Sequence, residues 1–223
     1  MASKNRAKSS RQAAARSPRR QPQAPIGLLH AATYIVGEFF GTTSNCADAA
    51  ALLVEIGHNL GFKLAARPVS VQGFDATTGH RFVMGPKATS ALSPKDRQAI
   101  ESHLPDGKDN GHIVLTLEKP SMLFDPNIRQ LGQYGIDAPS IIMNIESTNP
   151  ASGQWDAKHE GLSLIYLVDE ENEALLPRFN SARLESKQLG RSIARDLQAG
   201  RTADQVCHRL QVEYDYRSLS SSR

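Results

Sequence analysis

From Pro25 onward the apolar positions Ile26, Leu28, Leu29, Ala31, Tyr34, Ile35 and Phe39 recur at helical offsets up to Gly41, which predicts a first amphipathic helix. Ser44 to Phe62 predicts a second. Its buried face is Ala49, Leu52, Leu53, Ile56 and Leu60, with Ser44 or Asn45 as the cap and Gly61 as the stop. The pattern then shortens to alternation, with strands expected at Lys63 to Gln72, around Val69 and Val71, and at His80 to Met84. Ser93-Pro94 opens a short helix to His103, and Pro105 to Gly111 reads as a turn-rich loop. Two strands follow, His112 to Glu118 and Ser121 to Asp125, joined at Lys119-Pro120. Pro139 to Glu146 and Leu162 to Val168 read as further strands, separated by a long polar loop holding Trp155 and His159. Leu175 to Leu197 turns helical and stops at Gly200. Thr202-Ala-Asp-Gln205 is a capping box for a last helix carrying Val206, Leu210 and, further on, Val212. Helices, then strands, then helices argue for an α+β fold on a mostly antiparallel sheet.

The first 24 residues break this pattern. They are rich in Ser, Ala, Gln, Arg and Pro, nearly free of aliphatic side chains, and cannot offset the entropy of ordering, so residues 1–24 are expected to be a disordered tail before a domain at 25–223. The tail also holds the basic excess. Seven of the 26 lysines and arginines lie in it with no acid, which leaves 19 against 23 acidic residues, a net −4, in the rest. A +7 tail fits weak contact with nucleic acid, an anionic surface or an acidic partner, a solubilising extension, or an export signal. With 223 residues and 39% apolar content the remainder can bury a core. Two cysteines, the lack of a membrane-length apolar run and the lack of a secretory apolar stretch point to a soluble protein of a reducing, cytoplasmic interior, with export as an effector as the alternative.

Cys46 falls in the first turn of the second helix. Unpaired N–H groups and the positive dipole end there favour an anion, so a thiolate at that position is a candidate nucleophile, with its own N–H available to an oxyanion. The alternative is a small buried apolar residue. A nucleophile needs a base and a group that orients it. His58 faces away from the helix's buried side and sits too far along the helix, and His30 and His208 have no evident acid partner. His112 opens an apolar strand, and Asp125 ends the next. If the strands pair through the Lys119-Pro120 turn, the two point to one side, either directly opposite or on a diagonal, close enough for imidazole to meet carboxylate. The alternative is a charge pair at the sheet rim. His103, Asp106, Asp109 and His112 bracket a loop without metal-ligand spacing, so no metal is expected. The adjacent Cys207 and His208 point in different directions on a helix.

Taken together, Asn45-Cys46-Ala-Asp48, Gly61-Phe-Lys-Leu-Ala-Ala-Arg-Pro-Val, Gly111-His112-Ile-Val-Leu and Leu-Phe-Asp125-Pro126-Asn-Ile-Arg-Gln130 resemble the transglutaminase-like branch of the papain-like cysteine hydrolases, over about residues 41 to 131. The resemblance implies a papain-like fold with N-terminal helices packed on the sheet, and an acyl-enzyme chemistry needing no cofactor. In that chemistry Cys46 is the nucleophile, His112 the base and Asp125 the orienting acid, with Gln130 and Asn45 in binding or positioning roles. It implies a protein or peptide substrate and a protease, deamidase or transglutaminase type of reaction, the alternative being a catalytically silent member serving as a binding module. Where papain-type enzymes carry the oxyanion-hole Gln, this chain has Phe40, so oxyanion support falls to the Cys46 N–H and a second, unassigned donor.

Overall fold

The computed structural model describes residues 24–95, 110–145 and 153–220. It is an α+β fold in which helices pack on an antiparallel sheet. The elements are α1 (Ile26–Phe40), α2 (Cys46–Asn59), β1 (Leu64–Asp75), β2 (Arg81–Met84), α3 (Pro86–Ser90), β3 (His112–Leu117), β4 (Met122–Asp125), a 3-10 helix (Ile128–Tyr134), β5 (Ile141–Asn144), β6 (Gln154–His159), β7 (Leu162–Val168), α4 (Leu176–Gln198) and α5 (Ala203–Ser220). Among these residues the strands form one seven-stranded sheet in the order β5-β4-β3-β1-β7-β6, with β2 also paired to β1.

The centre of the fold is β1. Its first half pairs with β3 from Leu64 to Val69, and its second half pairs with β7 on one side and β2 on the other. Alternation along the strands divides the buried side chains between two cores. Ile113, Leu115, Leu117 and Phe124 face the helical layer of α1, α2, α4 and α5. Val69, Val71, Val114, Leu123 and Tyr166 face a second core on the other side, closed by the 3-10 helix, β5 and β6. His112 has the parity of Val114, and Asp125 that of Leu123, so both belong to the second face.

The ends of α2 follow from its sequence. Gly61 takes φ 87°, its N–H bonds the His58 carbonyl, and the Phe62 N–H reaches back to Gly57, which closes the last turn in a Schellman pattern. At the start, Asn45 is the cap by position, yet its side chain makes no capping bond and donates to Thr43 Oγ1 instead. The alanine-rich helix lies close against α4. An added Cβ at Gly190 would stand 2.9 Å from Glu55 Cβ and 3.1 Å from the Glu55 carbonyl carbon. Gly190→Ala is therefore expected to lower stability by about 1–3 kcal/mol despite alanine's better helix propensity, since backbone cannot move aside as a side chain can. Denaturant midpoints of the two proteins check this, and an unchanged or raised midpoint would contradict it.

Several expectations change. Trp155 and His159 lie in strand β6, not in a loop, and β6 turns into β7 through Glu160 and Gly161, both at positive φ (42° and 91°), as a two-residue hairpin turn matched to strand twist requires. Val212 is 56% exposed because the face of α5 that reaches the core is set by Val206 and Leu210. The capping box is present, with Thr202 and Gln205 exchanging hydrogen bonds of 3.0 and 3.3 Å. Neither the 3-10 helix nor α3 was expected. The Ser93 to His103 helix and the Pro105 to Gly111 loop lie mostly outside the described residues, as do His103, Asp106, Asp109 and the tail up to residue 23. Ala24 is half-buried and donates to the Leu60 carbonyl, so it joins the fold. No helix among the described residues is long and apolar enough to cross a membrane.

Candidate active site

The β3–β4 ladder pairs Leu115 with Phe124 and Leu117 with Met122. Continued, that register would put His112 opposite Asn127 and leave Asp125 on the diagonal, within reach of an imidazole. His112 Nε2 stands 2.9 Å from both Asp125 oxygens, and both residues are wholly buried. The carboxylate has two further donors. Tyr166 on β7 donates its hydroxyl to Oδ2 at 3.0 Å, and the Asn127 N–H donates to Oδ1 at 3.1 Å. An unpaired buried carboxylate is costly, and here donors from two strands and a turn surround it. Burial, then the Asp125 charge, pushes the Tyr166 phenol well above its ordinary value of 10, which keeps it protonated and donating.

Cys46 opens α2 and is 7% exposed. Its thiol lies near enough to the same imidazole to favour the protonated ring. Burial works against a charge on His112, but the Asp125 charge and hydrogen bond, followed by the hydrogen bond and charge of the sulfur, outweigh it and raise the imidazole above its ordinary 6.5. Imidazole and carboxylate thus form a buried hydrogen-bonded pair, with the Cys46 thiol near the ring.

Gln130 lies on the 3-10 helix, buried, with Nε2 at 3.0 Å from His112 Nδ1 and 3.3 Å from Met84 Sδ. Asn127 Nδ2 reaches the Gln130 Oε1 at 3.4 Å and the Thr43 carbonyl at 3.0 Å. Two close approaches seat this segment. An added Cβ at Gly37 of α1 would fall 2.9 Å from the Pro126 carbonyl oxygen, and one at Gly132 would fall 2.5 Å from Thr42 Cγ2. Asn45 is exposed beside Cys46, its side chain donates to Thr43 Oγ1, and its carbonyl accepts the Ala49 N–H.

Tyr166, Asn127 and Met84 were not anticipated. Tyr166 shares the Leu162, Leu164 alternation and reads as core filler, and Asn127 sits inside the Asp-Pro stretch without a spacing of its own. The other histidines are elsewhere: His58 and His208 are exposed, and His30 is tilted against Phe124 with ring centroids 6.2 Å apart. Cys207 is a free, half-buried thiol that burial and then Glu38 hold above the ordinary range. Among the described residues no group of three or more His, Cys, Asp or Glu side chains could hold a metal ion. An open surface groove of about 1090 Å³, lined by Arg67, Lys87, Glu118, Trp155 and Glu170, contains none of the site residues. Comparison of the chain with protein-family models, with curated proteins and with solved structures gives no match.

Proposed function

We propose that this chain is a thiol-dependent hydrolase or acyl transferase acting on peptide or amide bonds, of the papain-like, transglutaminase-like type. The observation that carries the reading is the buried His112–Asp125 pair near Cys46, which stands at the first turn of a helix. In this reading Cys46 Sγ attacks a carbonyl carbon as its proton passes to His112 Nδ1. The oxyanion is met by the Cys46 N–H at the start of α2. His112 returns the proton to the departing amine, the C–N bond breaks, and a thioester remains. Water or an amine then adds to the thioester, gives a proton to His112, and expels the thiolate, which is reprotonated. Water yields proteolysis or deamidation, and an amine yields a cross-link.

A second reading, a binding module on the same scaffold, is favoured by the near-complete burial of Cys46 and by Phe40 in place of an oxyanion-hole Gln. Mass spectrometry of a proteome incubated with the wild type or with Cys46→Ala separates them. The acyl-transfer reading expects new termini, a Gln-to-Glu mass change or cross-links that vanish in the variant. Identical proteomes with both proteins would overturn it and leave the binding reading.

A further inference from the structure

Asn127 and Gln130 form a relay whose direction is set by an atom that cannot change role. The Thr43 carbonyl only accepts, so the Asn127 amide must turn its NH2 toward it, at 3.0 Å. The second N–H of that group then faces Gln130 Oε1, at 3.4 Å. Turning Asn127 over would set Oδ1 against a carbonyl oxygen, and in the observed orientation Oδ1 is buried with no protein partner among the described residues. With its Oε1 so engaged, Gln130 presents its own NH2 to His112 Nδ1 at 3.0 Å and to Met84 Sδ at 3.3 Å, both of which accept.

We infer that Asn127 and Gln130 are positioning residues that hold His112 Nδ1 as an acceptor and resist its protonation, so that Gln130 must turn its amide, breaking with Asn127, before the ring can keep the Cys46 proton. The inference rests on the acyl-transfer reading only for the use made of that proton. Its basis is donor counting: once Nδ1 carries hydrogen, two N–H groups confront each other across 3.0 Å. The groups that titrate against the ring are Asp125 on β4, Cys46 at the start of α2 and, through the carboxylate, Tyr166 on β7. Arg129, beside Gln130, is taken up by Glu38 on α1 at 2.7 Å. Asp125 draws a proton onto the imidazole and the relay opposes it. The relay ends at Thr43 in the exposed stretch leading to Cys46, so the base is coupled to the backbone beside the nucleophile.

The test needs no substrate. The His112 ring titration is followed by NMR, and Cys46 alkylation by iodoacetamide is followed against pH, in wild type, Asn127→Leu, Gln130→Met and Gln130→Glu. All three variants are expected to raise the His112 midpoint and lower the alkylation midpoint by about one pH unit, with Gln130→Glu, which offers only acceptors, shifting most. Gln130→Glu matches the native side chain in shape and keeps the measurement open if the others do not fold. A residue that served packing alone would leave the midpoints in place or lower that of His112, and either outcome overturns the relay. Because both readouts precede any reaction, a missing product in the proteome experiment counts against the acyl-transfer reading and not against the relay.

Discussion

Asp125→Ala is expected to destabilise the protein by about 3–5 kcal/mol, the range for removing one partner of a buried charged pair. The substitution strands the His112 Nε2 donor, the Tyr166 hydroxyl and the Asn127 N–H, all of which now end on this carboxylate. Each buried donor left without an acceptor costs about 1–3 kcal/mol, so the loss exceeds that of a simple cavity. Asp125→Asn keeps the shape and one acceptor and is expected to cost less. The pH dependence carries a second signature. Because the folded imidazole is raised above 6.5, its contribution is whole below about pH 6.5 and is lost as pH rises through the folded value, by up to ~1.4 kcal/mol per pH unit. Measured in a Cys46→Ala background, where the thiol's own ionisation drops out, this decline is expected to flatten when Asp125→Asn is added. Urea midpoints across pH 6 to 10 report both. A loss under about 1 kcal/mol for Asp125→Ala would mean that the carboxylate is not the buried acceptor described here.

His112→Gln is expected to slow Cys46 alkylation at neutral pH about 10-fold or more and turnover by about 10²–10⁴-fold, while retaining a donor toward Asp125. An unassisted thiol is a few per cent thiolate at pH 7, and His112 is the base whose protonation is coupled to this thiol. Glutamine cannot take up the thiol proton, so the substitution removes the base without emptying the site. Equal alkylation rates in the two proteins, with the fold intact by circular dichroism, would show that sulfur and imidazole act independently.

The four helical patterns at Ile26–Phe40, Cys46–Asn59, Leu176–Gln198 and Ala203–Ser220 and six of the strands were legible because burial on one face imposes a period. The face shared by His112 and Asp125 was legible too, since a turn centred on Lys119-Pro120 sets even positions of the first strand on the side of odd positions of the second, and the observed register selects the diagonal. Strand β6 was not legible. Only Ala157 is buried along Gln154–His159, and an edge strand with one wet face looks like a polar loop. The 3-10 helix carrying Gln130 is too short to show a period of its own. The roles of Tyr166 and Asn127 depend on where a hydroxyl and a carboxamide point after folding, toward Asp125 and the Thr43 carbonyl, and no local signal encodes that.

The thiol belongs to the helical layer, while its base and acid belong to the opposite side of the sheet. During synthesis the sulfur emerges early, and the hydroxyl that steadies the acid arrives only with β7. A nascent chain that has passed the first two helices therefore carries an ordinary cysteine, with no imidazole beside it. In the proposed reading the thiol meets its base and acid only as the sheet is completed, with the last strand supplying the Tyr166 hydroxyl.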